Sequence, residues 1–102
     1  MSVLMTLRIK ADGTRLQEVI NNNEARVLAV NARAKELGAL HHQFLASADG
    51  SDVIVLDEWE SPEAFQKFFE SSPEIPQIMQ EVGVTSEPEI SFWHVLDTVD
   101  KF

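Results

Sequence analysis

The chain has 102 residues, 44% of them hydrophobic and 25% charged, which suits a single globular domain spanning residues 1–102. Its net charge of −9 argues against nucleic-acid binding, and its lack of cysteine excludes disulfides and thiolate chemistry. The start of the chain has no signal-peptide pattern and no apolar run reaches the ~20 residues of a membrane span, so we expect a cytoplasmic protein that does not enter membranes.

The first half of the chain predicts a strand followed by a long helix. Residues 3–10 (VLMTLRIK) alternate in the manner of a strand, and Asp12-Gly13-Thr14 ends it and offers a helix cap. Residues 14–37 predict one helix that ends at Gly38, with an apolar stripe at helical spacing. Asn23 lies on this stripe, where it marks either a kink or a polar group that faces a pocket.

A hairpin and a capped helix come next. Residues 39–48 predict the second strand, and Asp49-Gly50 predicts the turn after it. The third strand begins with the apolar run Val53-Ile54-Val55-Leu56, which predicts burial on both faces. Ser61-Pro62-Glu63 follows at once and predicts a helix start, with serine as N-cap and proline in the first turn.

The remaining elements complete a β-α-β-β-α-β order. Ser72-Pro73-Glu74 repeats the same pattern and predicts the same capping of a short extra helix that ends at Gly83, and residues 90–97 predict the last strand. This order predicts an α+β, ferredoxin-like fold with a four-stranded antiparallel sheet. The third and fourth strands are apolar on both faces, although the helices cover only one. We therefore expect a homodimer packed through the other sheet face.

The hairpin brings candidate catalytic residues together. With an even loop length, His42 falls near Asp57 or Trp59, whereas a one-residue bulge would place His41 there. Histidine beside a carboxylate suits a general base or a metal ligand, although both histidines could also be ordinary strand residues. No chelating histidine spacing occurs, so no metal is predicted, and the missing nucleophile and phosphate motifs exclude acyl and phosphoryl transfer.

Residues 56–71 (LDEWESPEAFQKFFES), together with the element order, resemble the antibiotic biosynthesis monooxygenase family of dimeric α/β barrels. Glu58-Trp59-Glu60-Ser61 carries the match, and Ala64, Phe65 and Phe68 continue it. The resemblance implies a homodimer whose two sheets form a barrel, with a pocket between sheet and helices in each subunit. Some members oxidise planar quinols or polyketide-like aromatics with dioxygen and no cofactor, because the substrate anion itself activates oxygen.

The resemblance implies roles for seven residues around a small aromatic ligand. The base would be His42 or Asp57; the substrate would stack on Trp59, Phe65 and Phe68; the developing oxyanion would be steadied by Arg8 or Asn23.

Two alternatives accompany this assignment. A haem-degrading branch of the superfamily uses an asparagine, a tryptophan and a histidine at positions held here by Thr6, Phe68 and Ile78, which disfavours haem degradation. The other alternative is a non-catalytic dimeric module that binds a small molecule or serves regulation.

Overall fold

The structure, a computed structural model, describes residues 1–102 and contains four strands and four helices. The strands are β1 (Val3–Lys10), β2 (Ala39–Ala46), β3 (Asp52–Trp59) and β4 (Glu89–Trp93), and the helices are α1 (Gly13–Asn22), α2 (Glu24–Glu36), α3 (Pro62–Glu70) and α4 (Glu74–Val82). The strands form one antiparallel sheet in the order β2-β3-β1-β4. This confirms the predicted α+β, ferredoxin-like fold and its extra short helix.

The core lies between the helices and one face of the sheet. Side chains alternate along a strand, so every second residue of β1 faces the helices, and these residues are buried: Val3, Met5, Leu7 and Ile9. Val53 and Trp59 of β3 join them from the same face, with Leu16 and Val30 from the helices. Full burial of each such side chain contributes about 1.5–3 kcal/mol to folding, before entropy is counted.

The predicted helix 14–37 is wrong in one respect: it is two helices that break at Asn23. This residue leaves the helical backbone region (φ −121°, ψ 38°), and its side-chain Nδ2 donates to the carbonyl of Val19 at 2.7 Å. Asparagine competes well for backbone partners and so favours helix ends over helix interiors. The kink is therefore confirmed, and the Asn23 amide is occupied by its own helix.

The two Ser-Pro-Glu segments behave differently. Ser61 caps α3 as predicted, since its Oγ accepts from the amide of Ala64 at 3.1 Å and Pro62 is the first helical residue. Ser72 does not cap α4, so the prediction of repeated capping is wrong. Its buried Oγ instead donates to the carbonyl of Phe68 at 2.6 Å and accepts from Arg33 at 3.2 Å.

The last strand ends at Trp93, which is earlier than the predicted residue 97. Leu4 pairs with Trp93, and β1 begins only one residue before Leu4, so the residues that follow have no neighbouring strand in this chain. Beyond β4 the backbone carries exposed apolar side chains at Val95, Leu96 and Val99. An apolar segment after an edge strand is thus left without an intramolecular partner.

The sheet face away from the helices, here called the outer face, mixes apolar and polar side chains. Its members include Leu4, Thr6, Arg8, Lys10, Gln43, Leu45, Asp52, Ile54, Leu56, Glu58, Glu89, Ser91 and Trp93. Leu45 and Trp93 are exposed, and the indole of Trp93 donates to the Thr6 hydroxyl at 2.8 Å. None of the helices has the length and apolar character needed to cross a membrane.

Candidate active site

A cavity of about 340 Å³ lies between the inner face of the sheet and the four helices. Nineteen of its 24 lining residues are hydrophobic, and the five others are Asn31, Lys35, His41, His42 and Asp57. Small-molecule sites are commonly concave and apolar with a few polar groups that fix orientation. The cavity therefore has the size and lining of a site for a small, largely apolar molecule.

His42 and Asp57 form the polar centre of this cavity. They lie opposite each other on β2 and β3, and His42 Nδ1 is 2.7 Å from Asp57 Oδ1. An ionised carboxylate only accepts hydrogen bonds, so Nδ1 carries the proton in the neutral ring. The other ring nitrogen, Nε2, keeps its lone pair, and it belongs to a side chain that is 37% exposed. This orientation is the one that a general base requires.

Trp59 holds the second oxygen of the same carboxylate. Its Nε1 donates to Asp57 Oδ2 at 3.0 Å, and the indole is only 1% exposed. Because Trp59 and Asp57 are two residues apart on β3, both side chains point to the inner face. Both oxygens of Asp57 are thus occupied, so Asp57 orients His42, and His42 is left as the candidate base of the pair predicted from the sequence.

Aromatic rings form the wall of the cavity next to this pair. The ring centroids of Phe65 and Phe68 lie 5.6 and 5.3 Å from that of Trp59, and Phe69 stacks on Phe65 at 5.4 Å. These rings come from one face of α3, whose start is fixed by the Ser61 cap directly after β3. Trp59, Phe65 and Phe68 therefore line the cavity as the sequence predicts, although their contacts with one another also make them core residues.

A bulge in β2 decides which histidine meets Asp57. Ala39 pairs with Trp59 and His41 pairs with Glu58, which leaves Leu40 as the extra residue. The bulge lies on the far side of His42 from the hairpin turn, so the register counted from the turn is undisturbed. His42 keeps its place opposite Asp57, and His41, beside the bulge, also lines the cavity.

Two predicted substrate-binding residues lie outside the cavity. Arg8 is on the outer face of β1, where its guanidinium pairs with Asp52 at 2.6 Å. That hydrogen-bonded ion pair raises the pKa of Arg8. Asn23 is held at the helix break described above, and neither residue lines the cavity. Neither residue is therefore placed to steady an oxyanion in this cavity.

Two polar residues of α2 line the cavity and were not predicted as site residues. Asn31 and Lys35 are four residues apart, which places them on one side of the helix. The signal in the sequence was their position beside the apolar stripe that includes Val27 and Val30. That position predicts their orientation only for a helix that restarts after Asn23.

Helix α4 closes the cavity with Ile75, Ile78 and Met79. Its first turn is tied to α2 by Arg33, whose guanidinium contacts Glu74 at 2.7 and 3.3 Å. The hydrogen bonds from Arg33 lower the pKa of Glu74. The last turn of α4 is tied to α2 by the ion pair between Arg26 and Glu81. Ion pairs with α2 thus hold α4 over the cavity.

The cavity has no cluster of three or more His, Cys, Asp or Glu side chains of the kind that holds a metal ion. Thr6, one of the positions relevant to haem degradation, lies on the outer face and accepts from Trp93, so it does not reach the cavity.

The structure was compared with known proteins. No family model and no curated protein matches the sequence. Among solved structures, the fold is similar to the monooxygenase from the gene ActVA-Orf6 of Streptomyces coelicolor in complex with nanaomycin D, with a TM-score of 0.70, 19% identity, and coverage of 99% of this chain and 93% of the other. It is also similar to SnoaB, a cofactor-independent oxygenase from Streptomyces nogalater, with a TM-score of 0.66, 19% identity and 98% coverage of both chains.

A third similar structure is a dimeric ferredoxin-like protein from an uncultured marine organism. Its TM-score is 0.66 at 13% identity, with coverage of 99% of this chain and 93% of the other. The similarities extend over nearly the whole domain, far beyond residues 56–71. The chain therefore has the fold of the antibiotic biosynthesis monooxygenases, as its resemblance to that family implied.

Proposed function

We propose that the protein is a cofactor-independent monooxygenase that acts on a planar, hydroxylated aromatic molecule of the quinol or polyketide-like type. The observation that carries this proposal is the His42–Asp57 pair, which opens into a cavity lined by aromatic rings. The similarity to a cofactor-independent oxygenase supports the reaction type. The exposed ring of Phe44 and the half-buried ring of Phe69 would hold a flat ring system, backed by the buried rings of Trp59 and Phe68.

In the proposed reaction His42 Nε2 removes the proton of an aromatic hydroxyl. The resulting anion is electron-rich and passes an electron to dioxygen, after which a C–O bond forms at a ring carbon that carries hydrogen. Loss of water then leaves a carbonyl at that carbon. The substrate loses two hydrogens, one oxygen atom enters the product, and the other leaves as water.

The carboxylate of Asp57 assists this step in two ways. It holds the imidazole with Nε2 free, and its negative charge stabilises the imidazolium that forms when His42 takes the proton. The apolar lining limits the number of water molecules around the anion, which strengthens its electrostatic interactions. Asp57 is thus a positioning residue, and His42 is the catalytic base.

Oxygen uptake with a panel of quinols and hydroxylated polycyclic aromatics tests the proposal. We expect His42→Ala to lower kcat by roughly 100- to 10,000-fold, the range typical of a lost general base. The matched control is His94→Ala, because His94 is exposed beyond β4 and does not line the cavity. Equal rates in wild type and His42→Ala would remove His42 from the mechanism. Ligand binding without any uptake would favour the non-catalytic binding module instead.

We also propose that the protein is a homodimer packed through the outer face. The exposed side chain of Trp93 on this face, and those of Leu96 and Val99 that follow β4, leave apolar surface uncovered within the chain. A second copy related by two-fold symmetry would cover them on both subunits at once. Sedimentation should show a dimer at micromolar concentration, and Trp93→Asp should shift it towards monomer. A wild-type monomer under these conditions would contradict the proposal.

A further inference from the structure

We infer that Lys35 and Asn31 select a substrate that carries an anionic group, such as a carboxylate, in addition to the hydroxyl that faces His42. This inference rests on the proposed function, because it names the class of aromatic molecule that the same cavity takes. It starts from the polar groups of the cavity that the proposed reaction does not use.

Of the five polar residues that line the cavity, two already have a role in the proposed reaction. Asp57 has both oxygens occupied and His42 acts as the base. Lys35 is the one lysine or arginine in the lining, and it takes part in none of the ion pairs of the chain, which involve Arg8, Arg26, Arg33 and His42. A charge-bearing donor is therefore available to a ligand.

The position of Lys35 suits an anion at the edge of the cavity. The residue is exposed and yet lines the cavity, which places its side chain at the edge of the cavity, where water relieves the cost of keeping it charged. Asn31, one turn earlier on the same side of α2, is half-buried and can donate from its amide. An ammonium and an amide on one helix face together match the two oxygens of a carboxylate.

The negative net charge of the protein makes a local cation such as Lys35 more important for binding an anion. Seventeen acidic residues against eight lysines and arginines produce a field that repels anionic molecules. A neutral aromatic would need no cation to enter an apolar cavity, whereas an anionic one would need a local attraction to offset that field. Lys35 supplies this attraction where a ligand would enter.

Binding of two closely related ligands, measured calorimetrically without oxygen, tests the inference. The probes are 1,4-dihydroxy-2-naphthoate and its methyl ester, which share the ring and hydroxyls but differ in charge. Wild type should bind the acid about 10- to 100-fold more tightly than the ester, as a charge-assisted hydrogen bond allows. Lys35→Met keeps the aliphatic stem and should abolish this preference while leaving the affinity for the ester unchanged. Lys35→Arg should keep most of the preference, and Asn31→Leu should reduce it.

The matched control is Lys67→Met, because Lys67 occupies the last turn of α3 as Lys35 occupies the last turn of α2, but does not line the cavity. Its preference should equal that of wild type. A preference for the acid that survives in Lys35→Met, or a wild type that does not distinguish the ligands, would overturn the inference. Failure of both ligands to bind at millimolar concentration would overturn it too. Because no oxygen is present, a preference for the acid in a protein without oxygen uptake would leave this inference standing while the proposed reaction fails.

Discussion

His42 and Asp57 lie directly opposite each other on neighbouring antiparallel strands, with Nδ1 and Oδ1 2.7 Å apart and the second carboxylate oxygen held by Trp59. The carboxylate is almost fully buried, whereas the imidazole reaches the solvent-accessible cavity. This arrangement fixes which imidazole nitrogen is free. The first two predictions below follow from it.

Asp57→Asn should abolish the proposed oxygen uptake while leaving the fold intact. An asparagine amide can donate to Nδ1, which would move the imidazole proton to Nε2 and remove the free lone pair. We expect kcat for oxygen uptake to fall by roughly 100- to 10,000-fold with little change in KM. Glu58→Gln is the matched control, since Glu58 is the next residue of β3 and faces away from the cavity. An unchanged kcat in Asp57→Asn would show that the proton transfer does not use this pair.

Trp59→Phe should destabilise the protein through one lost hydrogen bond. The substitution keeps a ring in the core but removes the donor to Asp57 Oδ2, which leaves a buried carboxylate oxygen without a partner. We expect the free energy of unfolding to fall by about 1–3 kcal/mol in denaturant titrations. Trp93→Phe loses a similar bond, to Thr6, at a site that is exposed in the single subunit, and should cost less when unfolding of the monomer is measured. A larger loss in Trp93→Phe than in Trp59→Phe would mean that the Trp59 hydrogen bond contributes little to the free energy of unfolding.

Aspartate substitutions in the two Ser-Pro-Glu segments should have different effects on the free energy of unfolding. Ser61→Asp keeps an N-cap acceptor and should change the free energy of unfolding by less than about 0.5 kcal/mol. Ser72→Asp replaces a buried hydroxyl that donates to the Phe68 carbonyl, and a carboxylate cannot donate. We expect a loss of about 1–3 kcal/mol there. Equal effects in thermal or chemical unfolding would indicate that Ser72 is a helix cap after all.

Asp49 should make the hairpin turn sensitive to acid. Hydrogen bonds from the Ser51 hydroxyl and amide and from the Ser47 hydroxyl lower the pKa of Asp49 from 3.8 to about 2. Because the folded pKa lies below the unfolded one, the carboxylate stabilises the fold above the unfolded pKa, and this contribution is lost as the pH falls towards 2.

The measurement for Asp49 is unfolding of wild type and Asp49→Asn across this range. Wild type should be the more stable protein near neutral pH, and the difference should shrink as the pH falls from 3.8 to about 2. Ser51→Ala removes the main donor and should weaken the pH dependence. A difference that stays constant over the whole range would contradict the assignment.

Local patterns predicted the parts of the fold that local physics determines. The Ser61 cap, the glycine at Gly38 with its positive φ of 119°, and the hairpin register that pairs His42 with Asp57 all depend on residues close in sequence. The placement of His42, Asp57 and Trp59 on one face of the sheet could therefore be predicted from the sequence. The apolar strands likewise predicted the four-stranded sheet.

The differences between the predicted and the observed structure have one distant cause and two local ones. Ser72 has the local pattern of a cap, but Arg33, 39 residues away, and the carbonyl of Phe68 bind its hydroxyl instead. Arg8 was assigned to the pocket, although alternation along β1 places it on the outer face beside Asp52. Asn31 and Lys35 were missed because their orientation follows from where α2 restarts, and that depends on the side-chain bond of Asn23.

The bulge at Leu40 determines which of the two adjacent histidines faces Asp57. If the extra residue moved two positions along β2, to the place of His42, both ends of the strand could stay where they are and His41 would lie opposite Asp57. Either position of the bulge thus leaves an imidazole facing the carboxylate. The adjacent histidines thus tie the identity of the imidazole opposite Asp57 to the position of the bulge, and a slip of two positions would exchange His42 for His41.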